Sequence, residues 1–237
     1  MIELEDAGVV VTAADPGAPG RTLTRTILEP TTLRLTERRI AVIGANGSGK
    51  STLARLVNGL RTPTSGRVRT LGMDVAREGP AVRSRVGFVF TDPDAQLVMP
   101  TAGEDVALSL RRTVPDASQR AARVREVLAR FGLADHVEAP VHSLSGGQKQ
   151  LLALAGVLAT EPEILVADEP TTLLDLHWRR VVDELLADLD AQVLLVTHDL
   201  AAAERADRVL VVDRGAVVFD GAPSAAVARY VEAMARL

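Results

Sequence analysis

The residues best suited to chemistry lie in one glycine-rich segment that ends in a lysine and two hydroxyl side chains. Gly44–Thr52 reads Gly-Ala-Asn-Gly-Ser-Gly-Lys-Ser-Thr, between an apolar strand-like run and an apolar helix-like run. This pattern holds a triphosphate on backbone N–H groups and a helix N-terminus. In it, Lys50 reaches the β- and γ-phosphates and the Ser51 hydroxyl binds Mg²⁺. The predicted nucleotide-binding residues are Gly44, Asn46, Gly47, Ser48, Gly49, Lys50, Ser51 and Thr52.

A second chemical group is a pair of acids at the end of another apolar run. Asp168 and Glu169 follow directly on Ile164–Ala167. Because successive strand residues point to opposite sides, the two carboxylates cannot do the same job. In a nucleotide site, one would hold the Mg²⁺ shell and the other would orient or deprotonate the attacking water.

A third segment, Leu144–Gln148, reads Leu-Ser-Gly-Gly-Gln and precedes a helix predicted to start near Lys149. It offers a helix N-terminus, a serine hydroxyl and bare backbone N–H groups, which together can cradle an anion. One triphosphate needs only one such cradle. The second cradle therefore favours binding of the nucleotide that a partner carries.

The elements that must position these groups alternate between strands and helices. Near-continuous apolar, β-branched runs of strand length, typical of strands buried on both faces, occur at 40–43, 86–90, 164–167, 193–196 and 209–212. Helical stretches between them predict a parallel α/β sheet. We therefore expect a single domain over 1–237, with an α/β core at 1–91 and 159–237.

The region 92–158 departs from this alternation and predicts a helical subdomain inserted into the core. Its plainest helix is 116–131, which Asp116 or Ser118 can cap and Gly132 ends. Its arginines predict a solvated helix face. The turn-rich stretch 13–20 predicts a loop near the start of the chain.

The composition excludes several classes of protein. The chain has 237 residues, of which 47% are hydrophobic, so it is long enough for a buried core and is not intrinsically disordered. It has no cysteine, which excludes disulfides and thiolate metal sites. A net charge of −4 argues against nucleic-acid binding by bulk charge. The acidic start, Met1–Asp6, predicts no secretory leader, and no apolar run reaches the length of a membrane span.

Five motifs in one order resemble the ATP-binding-cassette (ABC) ATPases over essentially the whole chain. The other two motifs are Thr172–Asp175, which is similar to the family's D-loop, and Thr197–Asp199, which carries a histidine just past a strand-like run. The resemblance implies an α/β fold with a P-loop NTPase core, an inserted helical subdomain and an N-terminal antiparallel β region. It also implies an ATPase that uses ATP and Mg²⁺.

In this family, two subunits dimerise head to tail. Each ATP lies between the phosphate loop of one subunit, here Gly44–Thr52, and the signature of the other, here Leu144–Gln148. By position, the resemblance implies that Lys50 and Ser51 bind phosphate and Mg²⁺ and that Asp168 supports the metal. It implies that Glu169 is the catalytic base and that His198 contacts the γ-phosphate. The residues implied at the dimer interface are Ser145, Gly146, Gly147, Gln148 and Asp175. The dimer could be formed by two copies of this chain or by two different ATPases.

Two positions depart from the family pattern. The family carries a glutamine at the end of the strand over 86–90, where this chain has Thr91, with Gln96 five residues later. Either of the two could take the role of that glutamine beside Mg²⁺. The family also stacks an aromatic ring on adenine from an early strand, but Val9–Val11 offers none.

Within the family, Val89–Gln96 and Glu104–Ala107 are similar to a stretch of ATPases from energy-coupling-factor (ECF) importers of vitamins and metals. Gly156 supports this branch. The amino-acid sequence of the phosphate loop is most similar to that of its biotin members and nearly as similar to that of its cobalt or nickel members. The resemblance implies a peripheral protein on the cytoplasmic face of the membrane. It would dock on a transmembrane subunit through residues 90–112, and a separate membrane subunit would bind the substrate.

Rival functions remain from other classes. They are an ABC ATPase that acts on nucleic acid or ribosomes, the ATPase of another ABC importer class, and an ATP-using kinase. Chromosome-type members need a long coiled-coil insert, for which the segment between the phosphate loop and the signature is too short. Translation factors carry two cassettes, whereas each motif occurs once here. A kinase would not need the signature.

Overall fold

Apolar and polar side chains alternate over Ile2–Glu5 at the start of the first strand, as a sheet with one buried face requires. In the computed structural model, which describes residues 1–14, 17 and 22–235, β1 (Ile2–Ala14) pairs antiparallel with β2 (Thr22–Leu35) and β4 (Ser65–Thr70). The short strand β5 (Met73–Asp74) lies beside β4, which gives the strand order β2-β1-β4-β5. This sheet confirms the expected N-terminal antiparallel region.

The loop predicted at 13–20 begins later than expected, because Ala13 and Ala14 continue β1 and pair with β2. Residues 15, 16 and 18–20 of that prediction lie outside the described part of the chain.

The described chain divides into two compact units. The first combines the described residues of Met1–Val86 and Gln192–Leu237, and the second is Gly87–Ala191. The predicted helical region 92–158 lies within the second unit.

The first unit contains three of the five strands that the apolar runs predicted. β3 (Arg39–Ile43) pairs in parallel with β8 (Gln192–Val196) on one side and with β9 (Arg208–Asp213) on the other. β10 (Ala216–Gly221) pairs antiparallel with β9. Ile40–Ile43 are buried, as expected for a strand covered on both faces.

Four helices complete the first unit: α1 (Lys50–Val57), α2 (Gly79–Arg83), α7 (Leu200–Glu204) and α8 (Pro223–Met234). One core cluster joins α7 and α8 to the parallel strands, through Ala41, Ile43, Ala203, Val209, Val211, Ala226 and Val227.

The second unit carries β7 (Ile164–Asp168), which is fully buried, beside β6 (Val86–Val89). Its helices are α3 (Ala102–Leu110), α4 (Ala117–Arg130), α5 (Gly146–Leu158) and α6 (Leu176–Asp188). Residues 92–158 are all described and contain no strand, only α3, α4, α5 and single 3₁₀ turns at Pro93–Ala95, Ala134–His136 and Val141–Ser143. That stretch is therefore helical in this structure.

Helix α4 begins and ends where the sequence predicted. The Asp116 carboxylate accepts the N–H of Gln119, and the Ser118 hydroxyl donates to the same carboxylate rather than capping the helix itself. Gly132 has a φ of +67° and ends the helix. The N–H of Leu133 then donates to the carbonyl of Leu128, which satisfies an orphan carbonyl of the last turn.

No helix in the described ranges combines the length and the apolar character needed to cross a bilayer.

Candidate functional site

The phosphate loop connects β3 to α1, and its path requires glycine. Gly44 has a φ of +154° and Gly49 a φ of +111°. A Cβ on Gly44 would lie 2.1 Å from the carbonyl oxygen of Val212, and one on Gly49 would lie 2.8 Å from the carbonyl oxygen of Ile27. Only a residue without a side chain fits both the dihedral angles and the space. The glycines therefore fix the shape of the loop.

Lys50 is the first residue of α1 and its side chain folds back over the loop. The ammonium Nζ donates to the carbonyl oxygens of Gly44, at 2.8 Å, and Ala45, at 2.9 Å, and the residue is only 7% exposed. The buried hydroxyl of Ser48 has no hydrogen-bond partner among the described residues. A buried cation beside an unpartnered buried hydroxyl fits an anionic ligand that would satisfy both.

The N-terminus of α1 has no cap or acid of its own. Its N-cap is Gly49, which has no side chain to cap the helix, and its first turn contains no acidic residue. A helix start of this kind carries a partial positive charge that favours an anionic ligand.

His198 lies at the same edge of the parallel strands as the phosphate loop. Val196 at the end of β8 pairs with Val42 of β3, and the N–H of Thr197 donates to the carbonyl of Val42. The phosphate loop starts two residues after Val42, and His198 follows two residues after Val196. The carboxyl edge of parallel strands is where α/β proteins bind ligands, and the exposed side chain of His198 is placed there.

A cavity of about 340 Å³ adjoins the phosphate loop in the first unit. Three segments line it: Arg25–Ile27 of β2, Ala45–Ser48 of the loop, and Asp213–Gly215 of the turn between β9 and β10. The turn is bonded to the loop and to a neighbouring part of β2, since the N–H of Gly215 donates to the carbonyl of Ser48 and the N–H of Glu29 donates to the carbonyl of Gly215. The sequence motifs included neither β2 nor this turn. The one sequence signal for this part of the cavity was Asp213–Gly215, whose Asp-Arg-Gly sequence is typical of a turn.

In the second unit, the two acids at the end of β7 occupy different environments. Asp168 is the last residue of the strand and is 2% exposed, whereas Glu169 is half-buried. Glu169 has a φ of +56°, which is strained for a residue with a side chain. Its Oε2 accepts a hydrogen bond from the Thr172 hydroxyl at 3.3 Å. Such strain concentrates at functional sites, where surrounding structure enforces it.

Thr91 and Gln96, the two candidates for the role of the family's glutamine, make different contacts. The Thr91 hydroxyl donates to the backbone carbonyl of Asp168 at 3.0 Å, so Thr91 lies beside the acidic end of β7. Both ends of the Gln96 amide are engaged elsewhere: its oxygen accepts the N–H of Phe90 and its nitrogen donates to the carbonyl of Ala153. Gln96 therefore shapes the loop after β6 and joins it to α5.

The signature segment forms the start of α5, which begins at Gly146 rather than near Lys149 as predicted. Ser145 is the N-cap: its hydroxyl accepts the N–H of Gln148, and the Gln148 amide oxygen accepts the N–H of Ser145. This reciprocal capping box stabilises a helix start that the glycines alone would disfavour. Ser145 and Gly146 are exposed, which leaves this helix N-terminus accessible.

The neighbouring D-loop segment contacts the signature. A Cβ on Gly147 would lie 3.2 Å from the carbonyl oxygen of Leu173. Asp175 is the N-cap of α6, where its carboxylate accepts the N–H of Trp178 at 2.9 Å.

Each unit thus assembles its own set of the predicted residues. The first holds the phosphate loop and His198. The second holds Thr91, Asp168, Glu169, the signature and Asp175. The described residues contain no cluster of three or more His, Asp or Glu side chains that could hold a metal by itself.

Comparison with known proteins shows the family of the chain. A family model described as "ABC transporter" matches residues 30–172. The biotin transport ATP-binding protein BioM of Rhizobium etli is 44% identical over 231 residues, which cover 98% of each chain. The energy-coupling factor transporter ATP-binding protein EcfA1 of Halalkalibacterium halodurans is 42% identical over 190 residues, which cover 78% of this chain and 68% of that protein.

A solved structure has the same fold. The dimeric ATP-binding cassette MJ0796, in a post-hydrolysis state bound to ADP and Pi, aligns with a TM-score of 0.84. It is 27% identical, and the alignment covers 94% of this chain and 99% of that one.

Proposed function

Because the chain belongs to the ABC transporter family and is an ATPase, we propose that it couples ATP hydrolysis to an ECF-type membrane importer. The observation that carries this proposal is the presence, on one chain, of two different anion-directed helix starts, the phosphate loop at α1 and the signature at α5. A chain that binds one nucleotide needs only the first. The names of BioM and EcfA1, which are similar to this chain, support the ECF branch.

The phosphate loop is proposed to hold the ATP phosphates. The Lys50 ammonium, which rests on backbone carbonyls in this structure, would turn to the β- and γ-phosphates, and the Ser48 hydroxyl would gain its missing partner. The residues proposed to contact ATP are Gly44, Asn46, Gly47, Ser48, Gly49, Lys50, Ser51 and Thr52. His198 is proposed to contact the γ-phosphate from the end of β8.

Ser51 and Asp168 are proposed to hold Mg²⁺, with Thr91 taking the place of the family's glutamine. When bound, Mg²⁺ neutralises charge on the β- and γ-phosphates. Glu169 is proposed to accept a proton from the water that attacks the γ-phosphorus, as the bond to the leaving ADP oxygen breaks. The strained backbone of Glu169 and its bond from Thr172 would hold the carboxylate for that transfer.

The signature is proposed to bind the nucleotide of a second copy. In a head-to-tail dimer, Ser145, Gly146, Gly147 and Gln148 of one protomer would face the ATP on the phosphate loop of the other, and Asp175 would lie at the interface. A two-fold arrangement is self-complementary, so a chain with both halves of the site can pair with itself. ATP would close this homodimer and hydrolysis would release it.

Segment 90–112 is proposed to dock on a transmembrane subunit at the cytoplasmic face of the membrane. It presents apolar side chains to solvent, since Val98 is 71% and Leu108 is 41% exposed. Gln96 and the ion pair of Lys149 with Asp94, at 2.7 Å, join this segment to α5. These bonds would transmit a movement of the docked segment to α5, which begins with the signature. A separate membrane subunit would bind the substrate, a vitamin, with biotin favoured, or a transition-metal ion.

Purification of the tagged chain from its native membranes tests this assignment. We expect a transmembrane subunit and a small substrate-binding membrane protein to co-purify, and the complex to bind radiolabelled biotin. A soluble complex with ribosomes or DNA and no membrane subunit would overturn the transporter proposal. Binding of Co²⁺ or Ni²⁺ in place of biotin would change only the cargo.

A further inference from the structure

Two arginines line the cavity beside the phosphate loop, and the sequence motifs identified neither of them. Arg25 lies on β2 at its wall, and within the described ranges its guanidinium has no hydrogen bond or ion pair. The other cation of the cavity, Arg214, is paired with Asp213 at 3.2 Å and is 91% exposed. Arg25 is therefore the cation that remains available to a ligand.

The register of β1 and β2 places Arg25 opposite Val11. The two residues are direct partners in the antiparallel pair, so their side chains leave the same face of the ribbon. Val11 belongs to the segment in which the aromatic ring that stacks on adenine in related ATPases is missing. Arg25 thus stands next to the missing ring, on the same side of the sheet.

The position relative to the phosphates fits a nucleoside. The cavity is bounded by Ala45–Ser48 on one side and by Arg25–Ile27 on the other, and its 340 Å³ can take a base with part of its ribose. The Asp213–Gly215 turn is hydrogen-bonded to the loop at Ser48 and to β2 at Glu29, which fixes the turn relative to both. A guanidinium is planar and stacks on aromatic faces, which Val11 cannot do.

We infer that Arg25 is a nucleotide-binding residue that covers the face of the base, in place of the absent aromatic ring. This inference rests on the proposed nucleotide site at the phosphate loop. Because every base has a π face, stacking of this kind holds the base with little selectivity among bases.

Equilibrium binding of Mg-ATP and of Mg-tripolyphosphate to the full chain tests this role. Tripolyphosphate has the charge of the nucleotide but no base. For Arg25→Ala we expect the Kd for ATP to rise about 3- to 30-fold, the range of a cation–π contact, and the Kd for tripolyphosphate to change less than about twofold. Arg25→Tyr should restore ATP affinity, whereas Arg25→Lys, which keeps the charge without the planar group, should restore only part of it. Arg34→Ala, on the same strand but paired with Glu3, is the matched control and should change neither Kd.

An equal loss of affinity for ATP and tripolyphosphate would overturn the inference, because Arg25 would then act on the phosphates. Unchanged ATP binding by Arg25→Ala would overturn it as well. In both cases, tripolyphosphate binding by the unmodified chain would still support the phosphate loop as proposed. If the unmodified chain bound neither ligand, the nucleotide site and this inference would fail together.

Discussion

The phosphate loop and the signature are both glycine-rich starts of helices, but their glycines serve opposite purposes. Gly44 and Gly49 have positive φ angles, and a Cβ on Gly44 would collide with the backbone at Val212. Gly146 does not have a positive φ, and a Cβ there would meet nothing closer than Leu173 Cδ1, at 3.9 Å. The first set of glycines is required by the chain's own fold. In the signature, Gly146 leaves a surface clear, whereas Gly147 lies close to the carbonyl of Leu173.

The two helix starts also differ in their caps. The first turn of α1 has neither a side-chain cap nor an acid, whereas α5 starts with a complete capping box from Ser145 and Gln148. The start of α1 is therefore not stabilised by a side-chain cap of its own. The signature is stable by itself and exposed, which fits a surface that acts on a neighbour's ligand.

The largest effect is expected for Glu169→Gln, which should abolish most ATP hydrolysis without weakening ATP binding. Glu169→Gln keeps the shape of the side chain but removes its capacity to take a proton. We expect phosphate release to fall by about 10³-fold, within the range for loss of a general base, while ATP affinity at the phosphate loop is unchanged. Steady-state phosphate assays and equilibrium binding measure the two quantities. Normal turnover in this variant would remove Glu169 from the role of base.

A substitution in the signature tests whether Gly146 is needed for ATP hydrolysis but not for folding of the chain. Gly146→Asp places a carboxylate at a helix N-terminus, where it favours the folded state, so the unfolding free energy should stay within about 0.5 kcal/mol. The same carboxylate would repel a nucleotide, and we expect hydrolysis to fall by about 10²-fold. ATP binding to the isolated chain should be unchanged. A large loss of stability, measured by urea unfolding, would show that this glycine is also required by the fold.

The matched substitution in the phosphate loop should give the reverse pattern. In Gly44→Ala the new methyl group meets the carbonyl of Val212 at a backbone conformation that alanine disfavours. We expect the unfolding free energy to drop by about 2–4 kcal/mol and ATP binding to fall with it. A variant of normal stability would contradict the structural role of this glycine.

The smallest effects are expected beside β7. Thr91→Gln should preserve or raise ATPase activity when the chain is assembled with its membrane partner, because an amide reaches further than a hydroxyl. The lost bond to the Asp168 carbonyl should cost only about 1 kcal/mol of stability. Complete loss of activity would mean that the site is built around Thr91.

In contrast, Gln96→Ala should reduce the free energy of unfolding by about 1–2 kcal/mol, because the side chain loses its two hydrogen bonds.

Much of this arrangement follows from local sequence, but not all of it. The strands over 40–43, 164–167 and 193–196 were predictable because each is a short β-branched run buried on both faces, and α4 because its cap and its Gly132 stop are local signals. The start of α5 was placed three residues late because Gly146 and Gly147 are poor helix formers, and the capping box of Ser145 and Gln148 decides the boundary.

Other features depend on register and long-range contacts. The strain at Glu169 and the pairing of Arg25 with Val11 arise only once the strands are assembled. The binding of Gln96 to Ala153 joins residues that are 57 positions apart. No periodicity or motif in the sequence reports such contacts.

A complementation assay tests most directly whether two copies share each nucleotide. Lys50→Ala disables the phosphate loop and Gly146→Asp disables the signature, so in either homodimer both sites are damaged. In a mixed dimer, one site takes both defects and the other is intact. We predict that an equimolar mixture recovers hydrolysis to about a quarter of the unmodified rate, since half of the dimers are mixed and each has one intact site of two. A mixture no more active than either variant alone would contradict the shared-site account.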